Sequence, residues 1–271
     1  MTTLNLSRPL ALPDTAAFAT EPILRVSNLT KSFGGRTVLD GVDFSLHRGS
    51  VVAFLGANGS GKSTTLKCVM GLENPEAGSI QLDGTELSTL RGGELTRARS
   101  SVAMVFQKIH LVPRRTALEN VCAGALGRIS GPASFSPMFF PRELKEEAMA
   151  ALARVGLADR AHDKAGRLSG GQAQRVAVAR ALCQRASVLL ADEPVSALDP
   201  RAAEEVMALL AELAHEENLA VAAVLHQPDL AMRHADHVIG LINGRIEYSG
   251  EISGLDASML SRLYTPNRVA A

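Results

Sequence analysis

A stretch of nine residues that directly follows an apolar segment has the composition and spacing of a loop that binds phosphate. In order, its residues are Gly56, Ala57, Asn58, Gly59, Ser60, Gly61, Lys62, Ser63 and Thr64. Glycine allows the backbone to turn so that consecutive N–H groups face an anion. Lys62 would reach the outer phosphates of a nucleoside triphosphate, and the Ser63 hydroxyl would ligate Mg²⁺. An ordinary glycine turn is the alternative, but it does not require lysine and serine at these two positions.

Two acidic residues follow a second apolar segment. Residues 188–191 predict a buried strand, and Asp192 and Glu193 come directly after it. Beside the phosphate loop, Asp192 would hold Mg²⁺ directly or through water, and Glu193 would polarise the water that attacks the γ-phosphate. A solvated acidic pair at the end of a strand is the alternative, which the presence of the phosphate loop makes the weaker one.

A second turn with anion-binding chemistry precedes a predicted helix. Its sequence is LSGGQ, and Ser169, Gly170, Gly171 and Gln172 offer a hydroxyl, bare backbone N–H groups and a helix N-terminus. Since the phosphate loop already provides one cradle, we expect this turn to close on the nucleotide of a partner chain. A serine that only caps a helix is the alternative.

Two further polar residues follow predicted strands. Gln107 ends the segment 102–106, where its amide could contact Mg²⁺ or the attacking water, and His226 follows the segment 219–225. Parallel strands bring their carboxyl ends to one edge, so His226 is predicted to hold the γ-phosphate. The other histidines lack metal-ligand spacing and are predicted to be surface or core residues: His47, His110, His162, His215, His234 and His237.

The elements that must position these residues alternate between strands and helices. Short alternating segments before and after the phosphate loop predict a small antiparallel sheet, with Phe33 in a turn between two of its strands. An exposed Phe33 ring could stack on a base, or it could be a partly buried turn aromatic. Later strands are uniformly apolar, which predicts an α/β fold whose parallel sheet is covered on both faces. The predicted helices span 62–70, 172–184 and 201–217, and residues 238–248 predict a hairpin through Asn243-Gly244.

The segment from about 109 to 167 differs in character and is predicted to be a helical insert. One helix in it has an apolar face and should end near Gly156; that face consists of Leu144, Ala148, Ala151, Leu152 and Val155. Four large apolar residues precede this helix: Phe135, Met138, Phe139 and Phe140. They are equally consistent with a partner-binding surface and with the insert's own small core.

Composition limits the classes of function. The chain has 271 residues with 28 Lys plus Arg and 28 Asp plus Glu, so no net charge attracts nucleic acid. Cys68, Cys122 and Cys183 lack metal-type spacing and are predicted to be core residues in a reducing compartment. We find no secretory signal, and the longest apolar run is too short to span a bilayer, so other subunits would do so. Residues 1–22 are predicted to be a mobile extension.

Taken together and in order, these motifs resemble those of the ATP-binding subunits of ABC transporters over about residues 23–263. The phosphate loop corresponds to the P-loop, Gln107 to the Q-loop, residues 168–172 to the LSGGQ motif, Asp192 and Glu193 to the Walker B pair, residues 196–199 to the D-loop and His226 to the switch histidine. The resemblance implies a P-loop NTPase with a RecA-like core that spans residues 23–250, followed by a helical tail over 251–271. It places Phe33 where the family stacks an aromatic residue, more often tyrosine, on adenine.

The same resemblance implies the ligands and partners. ATP and Mg²⁺ would lie between the P-loop of one chain and the LSGGQ turn of another in a homodimer, with Asp199 of the D-loop at the nucleotide. Two permease subunits would hold this dimer at the cytoplasmic face of the membrane, and an extracytoplasmic solute-binding protein would act indirectly. An ABC-type ATPase that acts on DNA or the ribosome is the rival, but it would need a coiled-coil insert, a second ATP domain or a basic surface. A module without turnover conflicts with Glu193 and His226.

Within the family, three features resemble the ATPases of phosphonate importers. They are residues 119–121 with 124–128, the triplet Leu225-His226-Gln227 where most relatives have Thr-His-Asp, and the tail over 250–264. Ala173, where those relatives commonly carry glutamine, departs from the pattern. We therefore expect the transported solute to be an organophosphonate or a phosphorus oxyanion such as phosphite, with a polar amino acid as the alternative. Arg114, Arg115 and Arg128 are expected to be solvated or partner-facing rather than substrate ligands.

Overall fold

The computed structural model describes residues 21–129 and 136–265. Its strands are β1 (Leu24–Phe33), β2 (Arg36–Leu46), β3 (Ser50–Leu55), β4 (Ala77–Leu82), β5 (Thr85–Glu86), β6 (Val102–Val105), β7 (Val188–Asp192), β8 (Ala220–Val224), β9 (His237–Ile242) and β10 (Arg245–Glu251). Its helices are α1 (Lys62–Met70), α2 (Gly92–Arg99), α3 (Ala117–Cys122), α4 (Arg142–Arg154), α5 (Gly170–Gln184), α6 (Pro200–Glu217), α7 (Pro228–His234) and α8 (Ala257–Tyr264).

These strands form two sheets. The larger has the order β10-β9-β3-β8-β7-β6 and is parallel except for β10, which pairs antiparallel with β9. The smaller has the order β2-β1-β4-β5 and is antiparallel. The predicted α/β fold, with a parallel sheet beside a small antiparallel one, is confirmed.

The larger sheet separates two hydrophobic cores. Because side chains alternate along a strand, Val51, Ala53 and Leu55 of β3 face the core that contains α3 to α6, while Val52 and Phe54 face the other. The rings of Phe44 in β2 and Phe54 meet edge to face with centroids 5.2 Å apart, which joins the two sheets. Burial on both faces explains why β3, β7 and β8 are apolar without alternation.

Within the described residues, the segment predicted as an insert contains α3, α4 and four 3₁₀ turns. Helix α4 buries Leu144, Ala148, Ala151 and Leu152 on one face, as its sequence pattern predicts. It stops before Gly156, whose positive φ of 71° favours glycine. The large apolar residues before α4 differ in their exposure. Phe140 is 6 % exposed and belongs to the core, whereas Met138 and Phe139 are 78 % and 55 % exposed; Phe135 lies outside the described residues.

Several predicted boundaries are wrong. Strand β1 continues to Phe33, which pairs with Arg36, so the turn consists of Gly34 and Gly35 and Phe33 is not part of it. Register shifts along β1 interrupt the alternation of buried and exposed side chains. The second half of the strand therefore lacks the period-two sequence pattern that predicts a strand. Helix α5 starts at Gly170 rather than Gln172. The sequence pattern also misses α2, which buries no residue, and the short α7.

The three cysteines are buried and free, as expected of core residues. Burial raises the pKa of the Cys68 and Cys183 thiols to about 11 and that of Cys122 to about 12. They are therefore protonated at neutral pH. Within residues 21–129 and 136–265, no helix combines the length and the hydropathy that crossing a bilayer requires. The predicted mobile extension lies almost wholly outside these ranges.

Candidate functional site

The glycines of the loop after β3 are required by its surroundings. Gly56, Gly59 and Gly61 have φ values of 139°, 79° and 108°, in the region that favours glycine. A Cβ on Gly56 would lie 2.3 Å from the carbonyl oxygen of Leu241, and one on Gly61 would lie 2.7 Å from Leu39 Cδ2. Strands β2 and β9 therefore support the loop from behind, and Asn58 and Gly59 form its exposed tip.

Lys62 starts α1 and is 4 % exposed. Its Nζ donates to the carbonyl oxygens of Gly56 at 2.8 Å and Ala57 at 2.9 Å, and it lies 3.4 Å from Ser60 Oγ. Burial lowers the pKa of Lys62, and the carboxylates of Glu193 and Asp192 oppose that shift. The loop thus surrounds the ammonium group of Lys62. This buried positive charge lies where phosphates are expected to bind.

Ser63 contacts the first of the two acids. Its Oγ donates to Asp192 Oδ1 at 2.6 Å, and Asp192 is 8 % exposed at the end of β7. The following residue, Thr64, is half-buried in α1. A hydroxyl and a carboxylate side by side form the hard oxygen donor set that suits Mg²⁺. Within the described ranges, no cluster of three or more His, Cys, Asp or Glu side chains could hold a metal by itself. Phosphate and water oxygens would have to complete the coordination.

Glu193 and His226 meet at the same edge of the sheet. Glu193 follows β7, His226 lies just beyond β8, and the imidazole Nε2 is 2.6 Å from Glu193 Oε1. Glu193 has a φ of 53°, which is unusual for a residue with a side chain and typically costs about 1–3 kcal/mol. Backbone strain of this kind is common where a functional side chain is held in a fixed orientation.

Gln107 reaches this edge indirectly. Its Nε2 donates to Ser196 Oγ at 3.3 Å, and that hydroxyl donates to the carbonyl oxygen of Glu193 at 3.2 Å. The amide of Gln107 is therefore connected to the backbone of Glu193 rather than hydrogen-bonded to either carboxylate. The sequence pattern marks Ser196 only as part of the D-loop.

The LSGGQ turn lies at the N-terminus of α5. Ser169 Oγ accepts from the amide of Gln172, and the Gln172 side chain accepts from the amide of Ser169, so the two form a capping box. A Cβ on Gly170 would lie 3.1 Å from Leu198, and one on Gly171 would lie 3.2 Å from Ala202. Asp199 caps α6 by accepting from the amide of Ala202. Two helix N-termini thus lie side by side, with Ser169, Gly170 and Asp199 exposed.

Phe33 is 45 % exposed, and the ammonium of Lys31 lies 4.8 Å from its ring centroid. The ring is therefore partly exposed beside a cation, and stacking on adenine stays a prediction. Two of the histidines predicted to be surface or core residues make ion-pair contacts away from the site: His215 with Asp236 at 3.1 Å and His234 with Glu204 at 2.7 Å.

Two residues near the C-terminus contact the loop, and the motif pattern misses them. The amide of Ala57 donates to the carbonyl oxygen of Leu263 at 2.9 Å, and the hydroxyl of Tyr264 lies near Leu225 and Gly56. The available signal is the apolar spacing of Leu260, Leu263 and Tyr264 after the helix-capping Asp256.

Comparisons with known proteins find relatives that cover most of the chain. Residues 39–196 match the family model described as ABC transporter. A phosphonates import ATP-binding protein of Frankia casuarinae is 46% identical over 233 residues, 86% of this chain and 92% of that protein. A phosphate-import ATP-binding protein of Mycolicibacterium smegmatis is 46% identical over 218 residues, 80% of this chain and 82% of that protein. Among solved structures, a dimeric post-hydrolysis state of the ATP-binding cassette MJ0796 bound to ADP and Pi is 33% identical, with a TM-score of 0.73 over 86% of this chain and 100% of that one. The predicted P-loop NTPase fold is confirmed.

Proposed function

Because the chain belongs to the ABC transporter family, as one of its ATP-binding subunits, we propose that it hydrolyses ATP to drive the uptake of phosphonates or a closely related phosphorus oxyanion. The observation that carries the ATPase is the convergence of Lys62, Asp192, Glu193 and His226 on one edge of the parallel sheet. In this arrangement Lys62 neutralises the outer phosphates and Glu193 accepts a proton from the attacking water. His226 holds the γ-phosphate.

Mg²⁺ is part of this proposal, and its ligands would be Ser63 and Asp192, with Gln107 at the edge of the site. When bound, Mg²⁺ neutralises charge on the β- and γ-phosphates. Lys62 is held by the loop carbonyls of Gly56 and Ala57, and it would exchange these hydrogen bonds for a phosphate oxygen.

A homodimer would complete the site. The exposed LSGGQ turn and the adjacent Asp199 offer helix N-termini to an anion from outside the chain. The dimeric form of the related MJ0796 cassette supports this arrangement. Each ATP would then contact the P-loop of one chain and Ser169 of its partner.

Two permease subunits would carry the solute, and a solute-binding protein outside the membrane would deliver it. The chain would then sit peripherally on the cytoplasmic face of the membrane. The import proteins to which the chain is similar support this placement. The balanced charge of the chain gives no reason to propose nucleic acid as a partner.

The solute is proposed from relatives, because no residue of this chain would touch it. The features that resemble phosphonate importers have structural duties here: Gly124 packs against the carbonyl oxygen of Arg180, and Arg128 donates to the carbonyl oxygen of Cys183 at 2.8 Å and pairs with Glu147. The relative named for phosphate import makes inorganic phosphate a second candidate. A polar amino acid remains the alternative outside phosphorus chemistry.

Uptake by a deletion strain tests the proposal. We expect loss of uptake of labelled methylphosphonate or phosphite and of growth on them as sole phosphorus source. The intact gene should restore both, and Lys62→Ala should not. Loss of phosphate uptake alone would transfer the assignment to phosphate. Loss of uptake of a polar amino acid with normal growth on phosphonate and phosphite would refute the solute and leave the ATPase intact.

A further inference from the structure

The C-terminal helix α8 binds the back of the P-loop. The carbonyl oxygen of Leu263 accepts a hydrogen bond from the amide of Ala57 at 2.9 Å. This amide therefore points away from the side where the nucleotide is expected. The P-loop amides that remain for phosphates are those further along the loop, towards Lys62.

Tyr264 makes a second connection to the site. Its hydroxyl donates towards the carbonyl oxygen of Leu225, at 3.5 Å, and Leu225 directly precedes His226. Burial raises the pKa of Tyr264, and the backbone amide of Gly56 opposes that shift. Two consecutive residues of α8 thus contact the P-loop, through Ala57, and the residue before the switch histidine, through Leu225.

Helix α8 is held in place at both of its ends. Leu263 is 1 % exposed and packs on Gly240 of β9, where an added Cβ would lie 2.6 Å from the leucine side chain. At the other end, Asp256 caps α8 by accepting from the amide of Met259 at 2.7 Å. Leu260 and Tyr264 also pack against the large core. The loop and the strand end are therefore tied to a fixed support.

We propose that α8 is a positioning element of the ATPase site, in which Leu263 holds the P-loop and Tyr264 holds the strand end that precedes His226. The inference rests on ATP hydrolysis by this chain and is independent of the transported solute. Tyr264 is a positioning residue because it acts through Leu225. Without its hydroxyl the P-loop keeps the bond to Leu263, so nucleotide binding persists while the alignment of His226 relaxes.

The two tyrosines of the chain provide a matched experiment on the full-length protein. Tyr264→Phe removes the hydroxyl that contacts Leu225. Tyr248→Phe removes a hydroxyl that also donates to a backbone carbonyl in the C-terminal segment, that of Glu251 at 2.7 Å, away from the P-loop. We expect Tyr264→Phe to lower kcat by roughly three- to tenfold, the range for one uncharged hydrogen bond. Its KM and Kd for ATP should stay within about twofold of wild type, and Tyr248→Phe should match wild type throughout.

Amide hydrogen exchange provides a readout that does not depend on turnover. In Tyr264→Phe the Leu225 amide, which donates to the carbonyl oxygen of Phe54 at 3.1 Å, should exchange faster, while the Ala57 amide stays protected by Leu263. The proposal is overturned if kcat is unchanged, if kcat and Kd worsen together, if Tyr248→Phe has the same effect, or if Leu225 exchange does not change. A wild-type protein without ATPase activity would refute the proposed function, and exchange at Leu225 would still decide whether Tyr264 holds this strand end.

Discussion

The imidazole Nε2 of His226 lies 2.6 Å from Oε1 of Glu193, so the side chains that follow the paired strands β7 and β8 contact each other. Glu193→Gln keeps the size of the side chain and removes its basicity. We expect ATP binding to persist and kcat to fall by about 10²–10⁴, the usual contribution of a general base. ATP should then hold a dimer that size-exclusion chromatography detects.

A second Glu–His pair in the chain serves as the control. His234 Nε2 lies 2.7 Å from Glu204 Oε1, between α7 and α6 and outside the site. Glu204→Gln should therefore leave hydrolysis near the wild-type rate. Near-normal hydrolysis by Glu193→Gln would refute the assigned base.

The hydrogen bond between Ser63 and Asp192 leads to a prediction about Mg²⁺. Asp192→Asn replaces one carboxylate oxygen by an amide nitrogen that cannot ligate the ion. We expect the Mg²⁺ concentration for half-maximal ATPase activity to rise by at least about 10-fold, because even the loss of a residue that only supports a metal ligand typically costs about 10- to 100-fold in metal affinity. Titration of Mg²⁺ at saturating ATP measures this. An unchanged Mg²⁺ requirement would contradict the proposed ligand.

Shared sites predict a complementation experiment. Lys62→Ala removes the P-loop ammonium, and Ser169→Arg blocks the capped N-terminus of α5, so each variant alone should be nearly inactive. A mixed dimer contains one site with both defects and one intact site. The mixture should regain at most the activity of one site per dimer, measured as phosphate release. Full activity in the mixture, or normal activity of Ser169→Arg alone, would rule out sites shared between chains.

The sequence predicts the parts of the site that depend on local chemistry. The spacing of Gly56, Gly59 and Gly61 indicates the loop because few other residues tolerate its backbone. The contact between Ser63 and Asp192 follows from parallel strands ending at a common edge. The meeting of Glu193 and His226 follows for the same reason.

The remainder depends on packing that no short motif contains. The left-handed backbone of Glu193 is imposed by the fold, and nothing in its side chain favours it. The hydrogen bond from Ala57 to Leu263 joins residues that are distant in the chain, and it needs the absent side chain of Gly240. Likewise, only the burial of Phe140 and the exposure of Phe139 separate two neighbours of identical type.

The different burial of Phe139 and Phe140 allows the two interpretations of this aromatic cluster, core and partner surface, to be tested with a pair of variants. Phe140→Ser removes a core ring and should destabilise the protein by roughly 3–5 kcal/mol, the range for loss of a buried aromatic residue. Phe139→Ser should leave folding and basal ATPase activity intact and weaken co-purification with the permease, since exposed aromatic residues often mark a partner site. Normal co-purification of Phe139→Ser would show that this ring is not part of the permease contact.

Two glycines of the segment that resembles phosphonate importers distinguish packing from solute choice. A Cβ on Gly124 would lie 2.1 Å from the carbonyl oxygen of Arg180, whereas one on Gly127 would meet nothing within 4 Å. Gly124→Ala must therefore shift α5 or its own turn, at a typical cost of about 1–3 kcal/mol. Thermal unfolding should show a lower Tm for Gly124→Ala and little change for Gly127→Ala. Uptake by the complemented strain should keep the same order of preference among phosphonate, phosphite and phosphate in both variants, because the segment packs against α5 and the permease carries the solute. A changed preference in Gly124→Ala at a normal Tm would contradict the structural role given to this segment.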